Sequence, residues 1–472
     1  MLPPSSRNVG RDVDYEVVIV GGGIAGLSAA WELRDRNIIV FESADRVGGR
    51  MRSEPRGHYW LNLGAHLFGG PDSHLARLVD AAGLETRPIP GNRMGLAVNG
   101  AVVASGAPET YPLRLPLSPA ARLSFVKSGL KLRWAARGFQ RIARRLPGEA
   151  AEAVRARVLA YRDNETFADY LGAMHPDIAS IFRAIAERIT AEPHEITAGC
   201  GAGLFAFLWD SQLTRARNLV GGSALLPLTL ARHLGERVVT GATVEEVVPE
   251  ASRVRVRVRQ SGGVQERSAR YVIAATPAHV THRIVRNLPA DTAAALARIP
   301  YGPFVCGAVL TAESGPMPWD DVYAIAAPGK AFNMLFNHAN VLRGPGRREP
   351  GGSLMVYGGG DSGRRLLEMT DAQIQDAFLR DIYTLLPGVK GIVREMIVHR
   401  WEYAIPYIAP GRSRLQPALE RRLDNVLLAG DYLEFPEMEI AAETGLEAAR
   451  AARRGLLPYE GPPTRVSERV PL

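Results

Sequence analysis

The chain has 472 residues, 46% hydrophobic and 22% charged, with a formal net charge of +8; this length implies two domains, and the balance excludes a disordered or fibrous protein. No run of about 18 uncharged apolar residues and no apolar leader before Tyr15 occurs, so neither a membrane span nor a signal peptide is expected. Two cysteines, Cys200 and Cys306, give no disulfide framework and suit a reducing cytoplasm, and no His/Cys cluster has metal-ligand spacing.

Residues 1–12 read as a flexible tail. Residues 17–20 (VVIV) then form a buried strand, followed by the turn Gly21-Gly22-Gly23-Ile24-Ala25-Gly26, a helix to about residue 34, and a strand over 37–41 that ends on Glu42. Gly21 permits the tight turn, Gly23 lets backbone approach a pyrophosphate, and Gly26 lets helix and strand pack closely. The helix start aims free N–H groups at phosphates. Glu42, about 20 residues past Gly21, stands where an acid hydrogen-bonds ribose hydroxyls. A dinucleotide is the ligand this pattern implies.

A helix over 75–82 closes at Gly83, and residues from about 91 to 210 read as largely helical, with breaks at Pro112, Pro116, Pro147 and Pro176. The window 121–160 holds ten basic residues against Glu149 and Glu152, so it carries the whole net charge. Leu123, Val126, Leu130, Trp134 and Ile142 recur among these charges at near-helical spacing. A helix whose apolar stripe joins the core is the favoured expectation; peripheral contact with an anionic membrane or an acidic partner is the other. Nothing in the sequence matches a nucleic-acid-binding motif. Further on, 253–259 alternates Arg and Val with period two, as in a half-buried strand with arginines in solvent.

The stretch Glu42-Ser43-Ala44-Asp45-Arg46-Val47-Gly48-Gly49-Arg50 resembles the signature of the FAD-dependent amine oxidase superfamily, which includes monoamine and polyamine oxidases, protoporphyrinogen oxidases and carotenoid desaturases. The late segment around Gly430 and Asp431, the helix beginning at Met438 and Glu439, the turn Gly64-Ala65-His66, and the segment 219–247 with Val244 are similar to further family elements. The resemblance implies noncovalent FAD held by Gly21, Gly23, Gly26, Glu42, Arg46, Gly48, Gly49, Arg50, Gly64, Ala65, Val244, Gly430, Asp431, Met438 and Glu439. It also implies an α/β two-domain flavoprotein, with a Rossmann-like FAD-binding domain and a mixed sheet-plus-helix substrate domain. The FAD domain is expected over 14–90, 215–285 and 400–458, and the substrate domain, with its helical insertion, over 91–214 and 286–399.

Several residues are candidates for the chemistry. His66 follows Gly64 and Ala65 and is either a proton relay or a structural hydrogen bonder. Glu437 stands where the resemblance puts an aromatic residue; it binds a cationic substrate, acts as a base, or points to solvent. Trp401, Tyr403 and Tyr407 offer aromatic walls or core packing. In many amine oxidases a lysine holds water near the flavin; here its position carries Cys306, and only Lys127, Lys131, Lys330 and Lys390 occur in the chain. Asn333, Asn337 and His338 form a polar cluster in an apolar run, and Arg412 and Arg414 could meet a carboxylate. The expected function is hydride removal from a small organic substrate at a C–N bond, with a place in specialised biosynthesis. The alternatives are a desaturase of C–C or porphyrinogen bonds and a flavin-free binding scaffold like the Rab GDP-dissociation inhibitors. The sequence leaves the oligomeric state open.

Overall fold

The computed structural model describes residues 13–89, 92–209, 216–343 and 348–456. The expected tail over 1–12 and the last two residues of the expected 400–458 segment lie outside them.

The first sheet is built on the strand β1 (Tyr15–Val20), whose Val17, Val18, Ile19 and Val20 are all buried. Continuous burial on both faces marks a central parallel strand. It pairs in parallel with β2 (Ile38–Phe41), Val17 opposite Ile38, and with Gly263–Ala274 on its other side. The helix α1 (Ile24–Glu32) crosses between β1 and β2. Thr243–Pro249 and Val254–Gln260 continue the sheet antiparallel, and Val426–Leu428 pairs with the end of Gly263–Ala274. In Val254–Gln260 the valines are buried and the arginines face outward, as the alternation predicts.

The second sheet runs in the order Val393–Pro406, Tyr301–Thr311, Gly352–Gly358, Met334–Asn337, Val322–Ala326, Asn92–Val98, Ala101–Val103. The segment expected to be helical from residue 91 therefore opens with two strands. Asn92–Val98 joins Val322–Ala326 from far upstream, a tertiary pairing that local sequence does not encode. The expected boundary at 399/400 falls within a single strand, Val393–Pro406, that pairs with Tyr301–Thr311 along most of its length.

The helices of the 91–210 segment then follow. The longest, Pro119–Ala143, begins at Ser118, whose side chain accepts from the Ala121 N–H. It buries Ala121, Ser128, Leu132, Ala135 and Ala136, while Leu123, Val126, Leu130 and Trp134 are exposed. The favoured expectation is thus overturned: Leu132 and small residues face the core, while Leu123, Val126, Leu130 and Trp134 of the expected stripe face solvent. Among the described residues no helix is long and apolar enough to cross a membrane.

The last helix, Met438–Leu456, packs so tightly on α1 that a Cβ on Gly445 would stand 2.1 Å from the Ala25 carbonyl oxygen. That contact seats the middle of the last helix on the first turn of α1.

Candidate active site

The turn after β1 depends on glycine for steric reasons that can be named. Gly21 has φ +106° and a Cβ there would meet the Ala275 carbonyl oxygen at 2.6 Å. A Cβ on Gly26 would stand 1.9 Å from the Gly21 oxygen. At Gly23, by contrast, no protein atom lies within 4 Å of such a Cβ. Gly23 is also the N-cap of α1, and neither a side-chain cap nor an acidic residue occupies the first turn. The N–H groups of that turn are thus offered to an anion approaching over Gly23.

Glu42 is fixed at the end of β2: its carboxylate accepts from Gly22 N at 2.6 Å and from Ala44 N at 2.9 Å. Val244 is buried nearby in a strand reached through Ala242, whose N–H donates to the Glu42 carbonyl. The second glycine pair is tied to the first, since Gly48 N donates to Gly22 O at 2.8 Å. Arg46 folds back onto the Val47 and Gly49 carbonyls and lies 5.8 Å from the Trp401 ring.

Arg50 and Asp431, 381 residues apart, form a two-pronged ion pair with both N–O distances 2.8 Å, and Arg50 also donates to the Ala404 carbonyl. Burial pulls the Arg50 pKa down, but Asp431 more than offsets this and holds it above its ordinary value. Such pairs fix geometry as well as charge. Gly430 N donates to the Thr444 hydroxyl, which anchors the Asp431 turn to the last helix.

The glycine turns and the second sheet approach each other at Gly64-Ala65-His66. Ala65 N donates to the Arg50 carbonyl, and a Cβ on Gly64 would stand 2.1 Å from that same oxygen. His66 then lies against the second sheet, 4.8 Å from Phe336 and 4.6 Å from His338 between ring centres. Its Nδ1 is 3.0 Å from the Gly64 carbonyl oxygen. A carbonyl only accepts, so Nδ1 carries the proton and Nε2 keeps the lone pair. Burial lowers the His66 pKa to about 4, and it holds the His338 pKa well below the ordinary value. Both rings are therefore neutral at pH 7.

From there an aromatic ladder crosses adjacent strands. Tyr323 lies 5.5 Å from Phe336, Phe336 stacks on Tyr357 at 5.7 Å, and Tyr357 lies 4.6 Å from Phe304. Phe304 stands opposite Trp401 in the strand register. The Trp401 indole N–H donates to the Leu63 carbonyl at 2.7 Å, which locks the ring beside the His66 turn. Arg188 hydrogen-bonds Tyr357, and its charge reaches both His66 and Glu437.

Glu437 is solvent-exposed just before the last helix, where Glu439 and Arg188 act on its charge. Burial, then Glu439, push its pKa up, against the pull of Arg188. Neighbouring Glu434 is raised by burial to about 7.

Other expected residues are used differently. The Glu439 carboxylate accepts from His74 N at 2.5 Å and Leu75 N at 3.1 Å, so it caps the helix His74–Ala81, whereas Met438 stays at the start of the last helix. Tyr403 is exposed, 4.5 Å from the His279 ring. Tyr407 is half-buried against the same apolar cluster as Trp401 and feels Glu195 and Arg364. Cys306 is buried with its pKa pushed up to about 12, so the thiol is neutral. The polar cluster divides: His338 joins His66, Asn337 bonds the Trp319 carbonyl, and Asn333 bonds Glu187 and Gly359 N. Arg412 is buried on the Tyr432 carbonyl and Arg414 bonds Asn164. Tyr323, Phe336, Tyr357 and Arg188 went unnoticed in the sequence, because each aromatic is isolated in its own short strand. Among the described residues no cluster of three or more His, Cys, Asp or Glu could hold a metal.

The family model described as flavin containing amine oxidoreductase matches residues 24–453, spanning both sheets. The chain belongs to that family. Amine oxidase A of Bos taurus is 28% identical over 302 residues, 61% of this chain and 55% of that protein. Amine oxidase B of Sus scrofa is 28% identical over 305 residues, 61% of this chain and 55% of the relative. The matched stretch thus spans about half the length of these curated relatives. In fold, the chain is similar to cyclohexylamine oxidase from Brevibacterium oxydans, with TM-score 0.75 and 22% identity, covering 94% of this chain and 99% of that one. A putrescine oxidase bound to putrescine gives TM-score 0.73 at 18% identity, covering 93% and 99%. The family's flavin fits the residues present, since the open face of Gly23, the uncapped start of α1 and the fixed Glu42 carboxylate suit a dinucleotide.

Proposed function

We propose that this protein is an FAD-dependent oxidoreductase that oxidises a small organic amine at its C–N bond. The observation that carries this reading is the junction at Gly64–His66, where a turn packed on Arg50 of the cradle presents a neutral histidine to an aromatic wall. FAD, when bound, supplies a two-electron acceptor for a hydride from the carbon beside nitrogen.

The residues proposed to hold it are Gly21, Gly23, Gly26, Glu42, Arg46, Gly48, Gly49, Arg50, Gly64, Ala65, Val244, Gly430, Asp431 and the helix start at Met438; Glu439 would act only through the helix it caps. Noncovalent attachment is supported by the cysteines, since Cys200 and Cys306 are both buried with pKa values pushed up to about 12. The locked Trp401 ring and the ladder orient an apolar substrate body. His66 offers its Nε2 lone pair as a hydrogen-bond acceptor to the amine N–H, and Glu437 binds the substrate nitrogen through its carboxylate. The two free, buried cysteines are in keeping with a reducing cytoplasm.

The chain's lysines favour one variation on this reading. Lys330 pairs with Asp381, Lys127 and Lys131 lie on the helix Pro119–Ala143, and Lys390 follows the turn Pro387–Val389. With Cys306 in the family's lysine position, reoxidation by an acceptor other than oxygen is the expected course.

The test is turnover of the purified protein with primary and secondary amines, scoring carbonyl product and the flavin released on acid denaturation. Carbonyl product with free FAD in the supernatant is expected. A colourless protein, or one reduced only by polyenes or porphyrinogens, overturns the proposal.

A further inference from the structure

The solvent face of the helix Pro119–Ala143 is built unlike an ordinary solvated face. Leu123 is 71% exposed, Val126 43%, Leu130 64% and Trp134 74%. Their three- and four-residue spacing places them on one side, and Leu113 and Leu146 add exposed apolar surface just beyond the two ends. Lys127, Lys131, Arg137, Arg141 and Arg144 are exposed on or beside the same stripe. Among the described residues Lys127, Arg137, Arg141 and Arg144 enter no ion pair, whereas Arg133 is paired with Glu109 and Arg157 with Glu149. The face therefore combines large apolar side chains, left in water at a cost, with cations that lack counter-charges.

We propose that this face docks peripherally on an anionic phospholipid surface. Leu123, Leu130 and Trp134 would enter the boundary between headgroups and acyl chains, while the flanking lysines and arginines meet lipid phosphates and carboxylates. Charge complementarity selects this occupant. Two copies of the face would bring two windows of net charge +8 together, which opposes self-association. A nucleic acid would satisfy the cations but strand the apolar stripe against its phosphates. The helix is too polar to cross a bilayer, so the contact lies in the membrane plane. This proposal is independent of the reaction the enzyme performs.

Co-sedimentation of the purified full chain tests it, using phosphatidylcholine vesicles with and without roughly a third phosphatidylserine. The serine-containing vesicles should retain at least about tenfold more protein, with retention falling as salt rises. The double variant Leu130→Ser/Trp134→Ser should lose that retention while keeping its melting temperature, and Lys127→Glu/Arg137→Glu should lose it as well. Equal retention on both vesicle types, or none, overturns the proposal. So does a concentration-dependent dimer that Trp134→Ser dissolves, which would assign the face to a second copy. Duplex DNA binding that survives Leu130→Ser/Trp134→Ser would likewise overturn it in favour of a polyanion.

Discussion

The proposed cofactor cradle and the proposed substrate wall meet at one turn but are made by different means. In the cradle, backbone does the shaping: Gly21, Gly26 and Gly64 are each pressed against a carbonyl oxygen, and Gly23 alone is left open. In the wall, side chains do it: Trp401, Phe304, Tyr357, Phe336 and Tyr323 come from five strands, and His66 arrives from the loop after Tyr59–Asn62. Backbone crowding tolerates almost no change, whereas a side-chain wall can be rebuilt one residue at a time. The difference explains how one family scaffold can hold one cofactor and accept different substrates.

Substitutions separate the two regions. Gly26→Ala places a methyl 1.9 Å from the Gly21 oxygen, which only a backbone shift can relieve. It should cost about 3 kcal/mol or more, read as loss of soluble, flavin-loaded protein. Asp431→Asn removes the charge from a two-pronged pair and leaves Arg50 uncompensated. About 2–3 kcal/mol of stability should go with it, visible as a lower Tm and a weaker flavin band.

On the wall, effects should fall on rate instead. His66→Asn should slow flavin reduction about a hundredfold with flavin content unchanged; an equal loss of flavin would make His66 structural. Because burial depresses its pKa to about 4, His66 is already neutral at pH 6.5 and should add no inflection there. The sign for stability follows. The neutral form is favoured in the fold, so this contribution is complete above the ordinary histidine range and is lost as pH falls through about 4. Denaturant titrations of wild type and His66→Asn between pH 7 and pH 4 should therefore diverge only on the acid side.

Smaller changes sharpen the contrast. Glu437→Gln should raise KM for a cationic amine by about tenfold with kcat nearly kept; unchanged KM would remove the carboxylate from the site. Cys306→Ala should cost about 1 kcal/mol of stability and leave turnover intact, because its thiol is neutral and buried.

Legibility in the sequence follows the same division. The cradle was readable because its residues are local: Gly21 to Arg50 form one continuous stretch whose spacing is dictated by a strand, a turn, a helix and a strand. Asp431 needed the resemblance, since nothing local links it to Arg50. Of the proposed wall, sequence alone points to His66 and Trp401, because cross-strand neighbours such as Phe304 and Tyr357 depend on a register that sequence does not write. The partners of Glu439 are hidden for a related reason, as His74 and Leu75 lie 365 and 364 residues away. The face of Pro119–Ala143 was read with the right periodicity and the wrong orientation. Periodicity finds a stripe, but which stripe meets the core depends on neighbours, here a tight packing surface that admits Ala121, Ala135 and Ala136.

Anaerobic mixing of the purified protein with a primary amine, followed at the flavin absorbance, tests the central claim most directly. Bleaching in wild type, slowed about a hundredfold in His66→Asn at equal flavin content, is the predicted result. Absence of bleaching by any amine in a flavin-loaded wild-type protein would contradict it.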